Sequence, residues 1–201
     1  MIRLGILISG SGTNLQAIID AIEADTLDVN IALVVSSRPD AYGLTRAEAG
    51  GIPTLALTKS DYEYPIAADE RIARALQLAG VDYVVMAGYM RKVCAPLLTA
   101  FPQRIINIHP ALLPSFVGAH AIADAFAYGV KLTGVTVHLA NEEYDRGPII
   151  AQRAVEVEEA DTLETLEQKI HAVEHVLYPE VLQLLAQGRV RIADDGRVAI
   201  L

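Results

Sequence analysis

Arg3-Leu-Gly-Ile-Leu-Ile-Ser9-Gly-Ser-Gly-Thr-Asn14-Leu-Gln-Ala-Ile18-Ile-Asp-Ala-Ile22 decides the fold. Arg3–Ser9 is an apolar, β-branched run, the texture of a strand. Gly10 and Gly12 break it, and then Leu15, Ile18, Ile19 and Ile22 recur at helical spacing. The stretch therefore reads as strand, tight loop and helix. The pattern returns at Ile31–Val35 followed by Tyr42–Ala49, at Thr54–Leu57 followed by Ile66–Leu78, and at Tyr83–Met86 followed by Arg91–Ala100. Continuous apolar strands alternating with helices belong to sheets covered on both faces. The expected class is α/β: a doubly wound, mostly parallel sheet with helices on both faces and right-handed crossovers.

Past Arg104–Ile108 the texture changes. A Pro-rich loop leads to a helix near Ala121–Tyr128, and Gly134–Leu139 and Pro148–Val157 look like mixed or antiparallel strands. A long helix follows, with an expected capping box at Asp161/Glu164. Leu163, Leu166, Ile170, Val173, Leu177 and Val181 define its buried stripe, and Pro179 should kink or break it. The tail from Arg189 to Leu201 reads as a small hairpin around Asp195-Gly196. The chain is expected to be one domain, 1–201, with a phosphate-binding half over 1–100 and a catalytic half over 101–201.

With 201 residues, 52% of them hydrophobic, the chain can bury a sizeable core. No apolar run approaches the roughly 18 residues of a membrane span, and no basic, leader-like segment opens the chain. One cysteine, Cys94, cannot make an internal disulfide. These features lead us to expect a soluble, unprocessed, cytoplasmic protein. A net charge of −9 argues against nucleic acid or anionic membrane as partners, since both require a basic field. Monomer and weak homodimer both stay open.

Asn107 and His109 stand two apart in Ile105-Ile-Asn107-Ile-His109-Pro-Ala-Leu-Leu-Pro114, at the end of an apolar run. Two apart on a strand means one face, and polar groups at the carboxyl ends of strands in such folds line the ligand crevice. The alternative is a core histidine bonded to a carbonyl. Gly10-Ser-Gly12-Thr-Asn14 suits an oxyanion, because glycines let backbone N–H groups approach and the following helix adds its positive end. It lacks the third glycine of a dinucleotide fingerprint and the Gly-Lys-Ser/Thr of a P-loop, so neither NAD nor ATP is supported. The loop Glu142-Glu143-Tyr144-Asp145-Arg146-Gly147-Pro148 can aim Asp145 at an imidazole, or leave it as a solvated turn residue. His120 at a helix start is expected near the site, and His138 is expected to be a buried, hydrogen-bonded support. His171-Ala-Val-Glu174-His175 spells a zinc-peptidase string, yet no His or Cys follows to complete the ligand set.

Taken together, Ile8-Ser-Gly-Ser-Gly-Thr-Asn14-Leu-Gln-Ala, Ala87-Gly-Tyr-Met-Arg91, Asn107-Ile-His109-Pro-Ala-Leu-Leu-Pro, Gly134-Val-Thr-Val-His138, Asp145-Arg-Gly-Pro-Ile-Ile-Ala-Gln and Glu174-His-Val-Leu-Tyr-Pro resemble the phosphoribosylglycinamide formyltransferases. The resemblance runs in order along nearly the whole chain. It implies transfer of a formyl group from 10-formyltetrahydrofolate to the amine of glycinamide ribonucleotide in purine biosynthesis, with no metal. It further implies that Asn107, His109 and Asp145 are catalytic. By the same resemblance Gly12, Thr13, Asn14, His171 and Glu174 hold the ribonucleotide. Met90, Arg91, Lys92 and Val93, with Asn107 and the loop Asn141, Glu142, Glu143, Tyr144 and Asp145, would then form the folate pocket.

The chain departs from the family pattern at Lys92, Val117, Arg146 and Pro65, the last falling where a folate-tail arginine is expected. Arg146 is expected to point to solvent. The rivals are a formyltetrahydrofolate hydrolase, which shares the trio, and a non-catalytic nucleotide- or folate-binding module. A methionyl-tRNA formyltransferase would need a basic RNA-binding extension, which this acidic chain lacks.

Overall fold

The first strand, β1 (Ile2–Ile8), leads through α1 (Thr13–Glu23), β2 (Val29–Ser36), α2 (Tyr42–Ala49) and β3 (Thr54–Ala56). A 3-10 turn at Ser60–Glu63 and α3 (Pro65–Leu78) return the chain to β4 (Tyr83–Met86), α4 (Ala95–Ala100) and β5 (Ile105–His109). The structure is a computed structural model and describes residues 1–193 and 196–201. Its chain forms two compact units, Met1–Asn107 and Ile108–Leu201.

In the first unit the strands lie in the order β3-β2-β1-β4-β5, and each neighbouring pair is parallel. Leu4, Ile6, Leu7, Ile8, Val34, Val35, Val84 and Val85 are wholly buried, as runs apolar on both faces require. From β1 to β3 the chain steps one way along the sheet, and from β3 to β4 it jumps back past β1. Right-handed crossovers then put α1 and α2 on one face and α3 and α4 on the other. The packing of α1 on α2 and of α3 on α4 agrees. The direction of winding reverses between β1 and β4, so the loops leaving their carboxyl ends diverge and open a crevice.

The second unit holds α5 (Ala121–Tyr128), the antiparallel pair β6 (Leu132–Leu139) and β7 (Ile149–Glu156), α6 (Leu163–Ala186), and a small hairpin of β8 (Val190–Ile192) and β9 (Val198–Ile200). Leu166, Ile170, Leu177, Tyr178, Val181 and Leu182 bury one stripe of α6, which packs on β6, β7 and α5. The strand pairing of the tail agrees with the expected hairpin, whereas Asp195 of its turn lies outside the described residues. No helix among the described residues is long and apolar enough to cross a membrane.

Three expectations need correction. The helix expected over Arg91–Ala100 begins only at Ala95, because the Met90 and Cys94 N–H groups donate to Ser9 Oγ and Asp69 Oδ2 and not to helix carbonyls. Pro96 in the first turn then costs no hydrogen bond. The capping box sits one residue later than Asp161/Glu164. Thr162 Oγ1 accepts from Thr165 N at 3.2 Å and Thr165 Oγ1 accepts from Thr162 N at 2.9 Å. Asp161 is diverted to Lys169 Nζ and Glu158 N, both at 2.8 Å. Finally, of the kink or break expected at Pro179 the break does not occur, since α6 is continuous from Leu163 to Ala186. The lost hydrogen bond and ring clash cost about 3 kcal/mol, which burial of the flanking apolar residues outweighs.

Candidate active site

In the first unit the loop after β1 is shaped by backbone and braced from behind. Gly12 takes φ +71 as the N-cap of α1, and a Cβ there would lie 2.6 Å from Gly43 Cα, so only glycine fits. Gly43 N donates to Gly10 O at 3.0 Å and Arg46 Nε to Ser11 O at 2.9 Å. No side-chain hydrogen bond caps α1, whose start lies at the carboxyl edge of the sheet. Thr13 is half-buried and Asn14 buried.

The loop after β4 lies beside it, since Met90 N donates to Ser9 Oγ at 2.9 Å. Met90, Arg91 and Lys92 are exposed, while Val93 turns inward. Asn107 is half-buried on β5, in register with Met86 of β4.

The second unit assembles the acid–base group. Thr136 and Gln152 face each other across β6 and β7 and clamp the segment that follows His109. Thr136 Oγ1 donates to Ala111 O at 2.7 Å and accepts from Leu113 N at 3.1 Å, and Gln152 Nε2 donates to Leu113 O at 3.0 Å. His109 is thereby held on a rigid exit. Its Nε2 donates to Phe116 O at 2.8 Å, the only role a carbonyl partner permits, and its Nδ1 lies 3.4 Å from Asp145 Oδ2.

His138 meets the same carboxylate from the other side. Its Nε2 is 3.7 Å from Asp145 Oδ1, and its Nδ1 donates to Leu139 O at 2.9 Å. The pairing of β6 with β7 shifts register between Val137 and His138, with Ile150 the extra residue on β7. Gly118 N adds a bond to Asp145 Oδ2 at 3.1 Å. Asp145 itself takes φ +53, in a loop where Glu143 N donates to Asn141 Oδ1 at 3.0 Å. All three side chains, His109, His138 and Asp145, are buried.

Burial pushes the Asp145 carboxyl up, but the His138 hydrogen bond, the His109 ring and the Gly118 N–H outweigh it and hold it below its ordinary 3.8. A carboxyl depressed in the fold stabilises fully above its unfolded value, and loses that contribution as pH falls through the folded one. The unfolding free energies of the wild type and Asp145→Asn should therefore differ at about pH 5 and converge as pH falls below 3.8 in urea titrations.

On α6, Glu174 is buried and its Oε2 accepts from His171 Nδ1 at 2.9 Å. This bond pulls the His171 pKa up against the opposing effect of burial. The His171 and His175 rings stack at 6.4 Å. Among the described residues no group of three or more His, Cys, Asp or Glu side chains is arranged to hold a metal. Asn141, Glu142, Glu143, Tyr144 and Arg146 are exposed, and so is His120, the N-cap of α5. Sequence reasoning missed the Gly118 N–H, the Phe116 carbonyl and the direct approach of His138 to Asp145. The glycine at 118 was the one available signal.

Residues 2–182 match the family described as Formyl transferase. A phosphoribosylglycinamide formyltransferase of Bacillus subtilis (strain 168) is 44% identical over 185 residues, covering 92% of this chain and 95% of the relative. The crystal structure of glycinamide ribonucleotide transformylase 1 from Symbiobacterium toebii superposes with a TM-score of 0.96 at 51% identity, covering 100% of this chain and 94% of that one. A formyltetrahydrofolate deformylase from Pseudomonas syringae is similar too, with a TM-score of 0.90 at 30% identity, but this chain covers only 66% of it.

Proposed function

From the premise that this chain belongs to the formyl transferase family, we propose that it moves the formyl group of 10-formyltetrahydrofolate to the amine of glycinamide ribonucleotide, a step of purine biosynthesis. The observation that carries this is a buried carboxylate between two imidazoles, 3.4 Å from His109 and 3.7 Å from His138. Identity of 44% and 51% to the transferases, against 30% to the hydrolase, favours an amine acceptor over water.

Attack of an amine on a formyl carbon generates an oxyanion and a cationic nitrogen. Asn107 and protonated His109, two positions apart on β5, donate to the oxyanion. In doing so His109 gives up its bond to the Phe116 carbonyl. Asp145 orients the His109 ring and, through a water, helps carry the amine proton to the departing folate nitrogen. His138 and the Gly118 N–H keep Asp145 ionised and aimed, and His120 lies two residues past that glycine.

Gly12, Thr13 and Asn14 take the ribonucleotide phosphate at the open start of α1, and His171 and Glu174 contact the same substrate. Met90, Arg91, Lys92 and Val93, with Asn107 and the exposed loop Asn141 to Asp145, receive the folate. The whole chain is read as one domain, cytoplasmic, and monomeric or weakly dimeric.

The test is release of tetrahydrofolate from 10-formyltetrahydrofolate with and without glycinamide ribonucleotide. Turnover should require the ribonucleotide. Turnover independent of it would replace this reading with the hydrolase, and no turnover would replace it with a binding module.

A further inference from the structure

Asp69 is a buried carboxyl that the proposed chemistry does not use. It lies on the inner face of α3 with Ala68, Ile72, Ala73 and Leu76, and is only 2% exposed. An apolar side chain would suit that face better, since a buried charge is costly unless it is partnered.

Its partner is specific. Asp69 Oδ2 accepts the Cys94 N–H at 2.5 Å. Cys94 is the N-cap of α4 and closes the loop that leaves β4. The other end of the exposed segment is fixed where Met90 N donates to Ser9 Oγ at 2.9 Å, and Ser9 Oγ shares a hydrogen bond of 2.6 Å with Ser37 Oγ. Just before the first pin the Tyr89 hydroxyl bonds that of Tyr62 at 2.8 Å, and between the pins the Arg91 guanidinium lies 4.5 Å above the Tyr62 ring. Residues 90–93 thus hang between two side-chain acceptors on different elements, one of them charged. Burial lifts the Asp69 carboxyl to about 6, with the Cys94 N–H opposing the rise.

We propose that Asp69 is a positioning residue: by holding the Cys94 N–H it fixes the shape of the 90–93 segment that receives the formyl donor. The proposal rests on the reading of Met90–Val93 as folate-binding. Ribonucleotide recognition at Gly12–Asn14 depends on other braces, from Gly43 and Arg46. Asp69 therefore governs one substrate and not the other.

The test combines amide hydrogen exchange with steady-state kinetics on the wild type, Asp69→Ala and Asp69→Asn. The wild-type Cys94 amide should be protected. Asp69→Ala should lose that protection and raise KM for 10-formyltetrahydrofolate by about tenfold, the loss expected of one hydrogen bond to a charged group. Its KM for glycinamide ribonucleotide should stay within about twofold, which also reports that the variant is folded. Asp69→Asn keeps an oxygen acceptor and should restore both protection and folate KM to within about threefold of the wild type. An unprotected Cys94 amide in the wild type overturns the pin without need of any variant. Lost protection with an unchanged folate KM overturns the link to the donor while leaving ribonucleotide-dependent transfer intact, so the two failures are distinguishable. Equal increases in both KM values would make Asp69 merely structural and overturn the proposal.

Discussion

Alanine at Asp145 lowers kcat for formyl transfer by about 100-fold or more, and alanine at His109 does the same, as expected for positioned acid–base groups. The side chains of both residues are 3–4% exposed and stand 3.4 Å apart. Removing Asp145 leaves the His109 and His138 rings without the carboxylate that both face, so the ring that donates to the oxyanion loses its orienting partner. Removing His109 leaves the carboxylate without the ring that stands 3.4 Å from it. Because the two act as one unit, the double variant should be little slower than either single one. Single-turnover rates with both substrates saturating provide the check. Near-wild-type turnover in either variant would contradict the roles assigned here.

The second large effect comes from a residue with no side chain. A Cβ on Gly147 would lie 1.8 Å from Leu139 O and 2.9 Å from Leu139 C. Leu139 cannot retreat, because its N–H donates to Pro148 O at 2.9 Å and its carbonyl is the acceptor for His138 Nδ1. Gly147→Ala must therefore shift the 141–147 loop, which carries Asp145 two residues away. We expect a loss of about 3 kcal/mol or more in unfolding free energy, together with a loss of activity in whatever protein still folds. Urea unfolding of Gly147→Ala beside Asp145→Ala separates the two consequences. The glycine variant should be destabilised far more, whereas both should be nearly inactive. A Gly147→Ala protein with normal stability and turnover would contradict the packing described.

The acid–base group differs from the rest of the protein in how readable it was. Asn107 and His109 announced themselves as polar residues spaced two apart at the end of an apolar run. Asp145 announced itself only as an acid in a Gly-Pro loop, and a solvated turn would look the same. Nothing local distinguishes His138 from any other histidine in a strand. It meets Asp145 only where the loop after β6 brings that carboxylate to 3.7 Å from its ring. Asp69 was equally silent, since one acid on a helical stripe carries no mark of the amide it will meet beyond β4.

Periodicity and apolar runs were enough to establish the βα repeat of the first unit, the antiparallel change in the second and the glycine-lined turn after β1, because these features depend on residues within a few positions of one another. Family membership was legible too, in motifs that kept their order along the chain. The extent of α4, the cap of α6 and its passage through Pro179 depended on which distant side chain or packed face claimed each backbone group. The same holds for the meeting of His109, His138 and Gly118 at Asp145. Long-range hydrogen bonds and packing choose among local options of similar energy, and that choice leaves no trace in a short window of sequence.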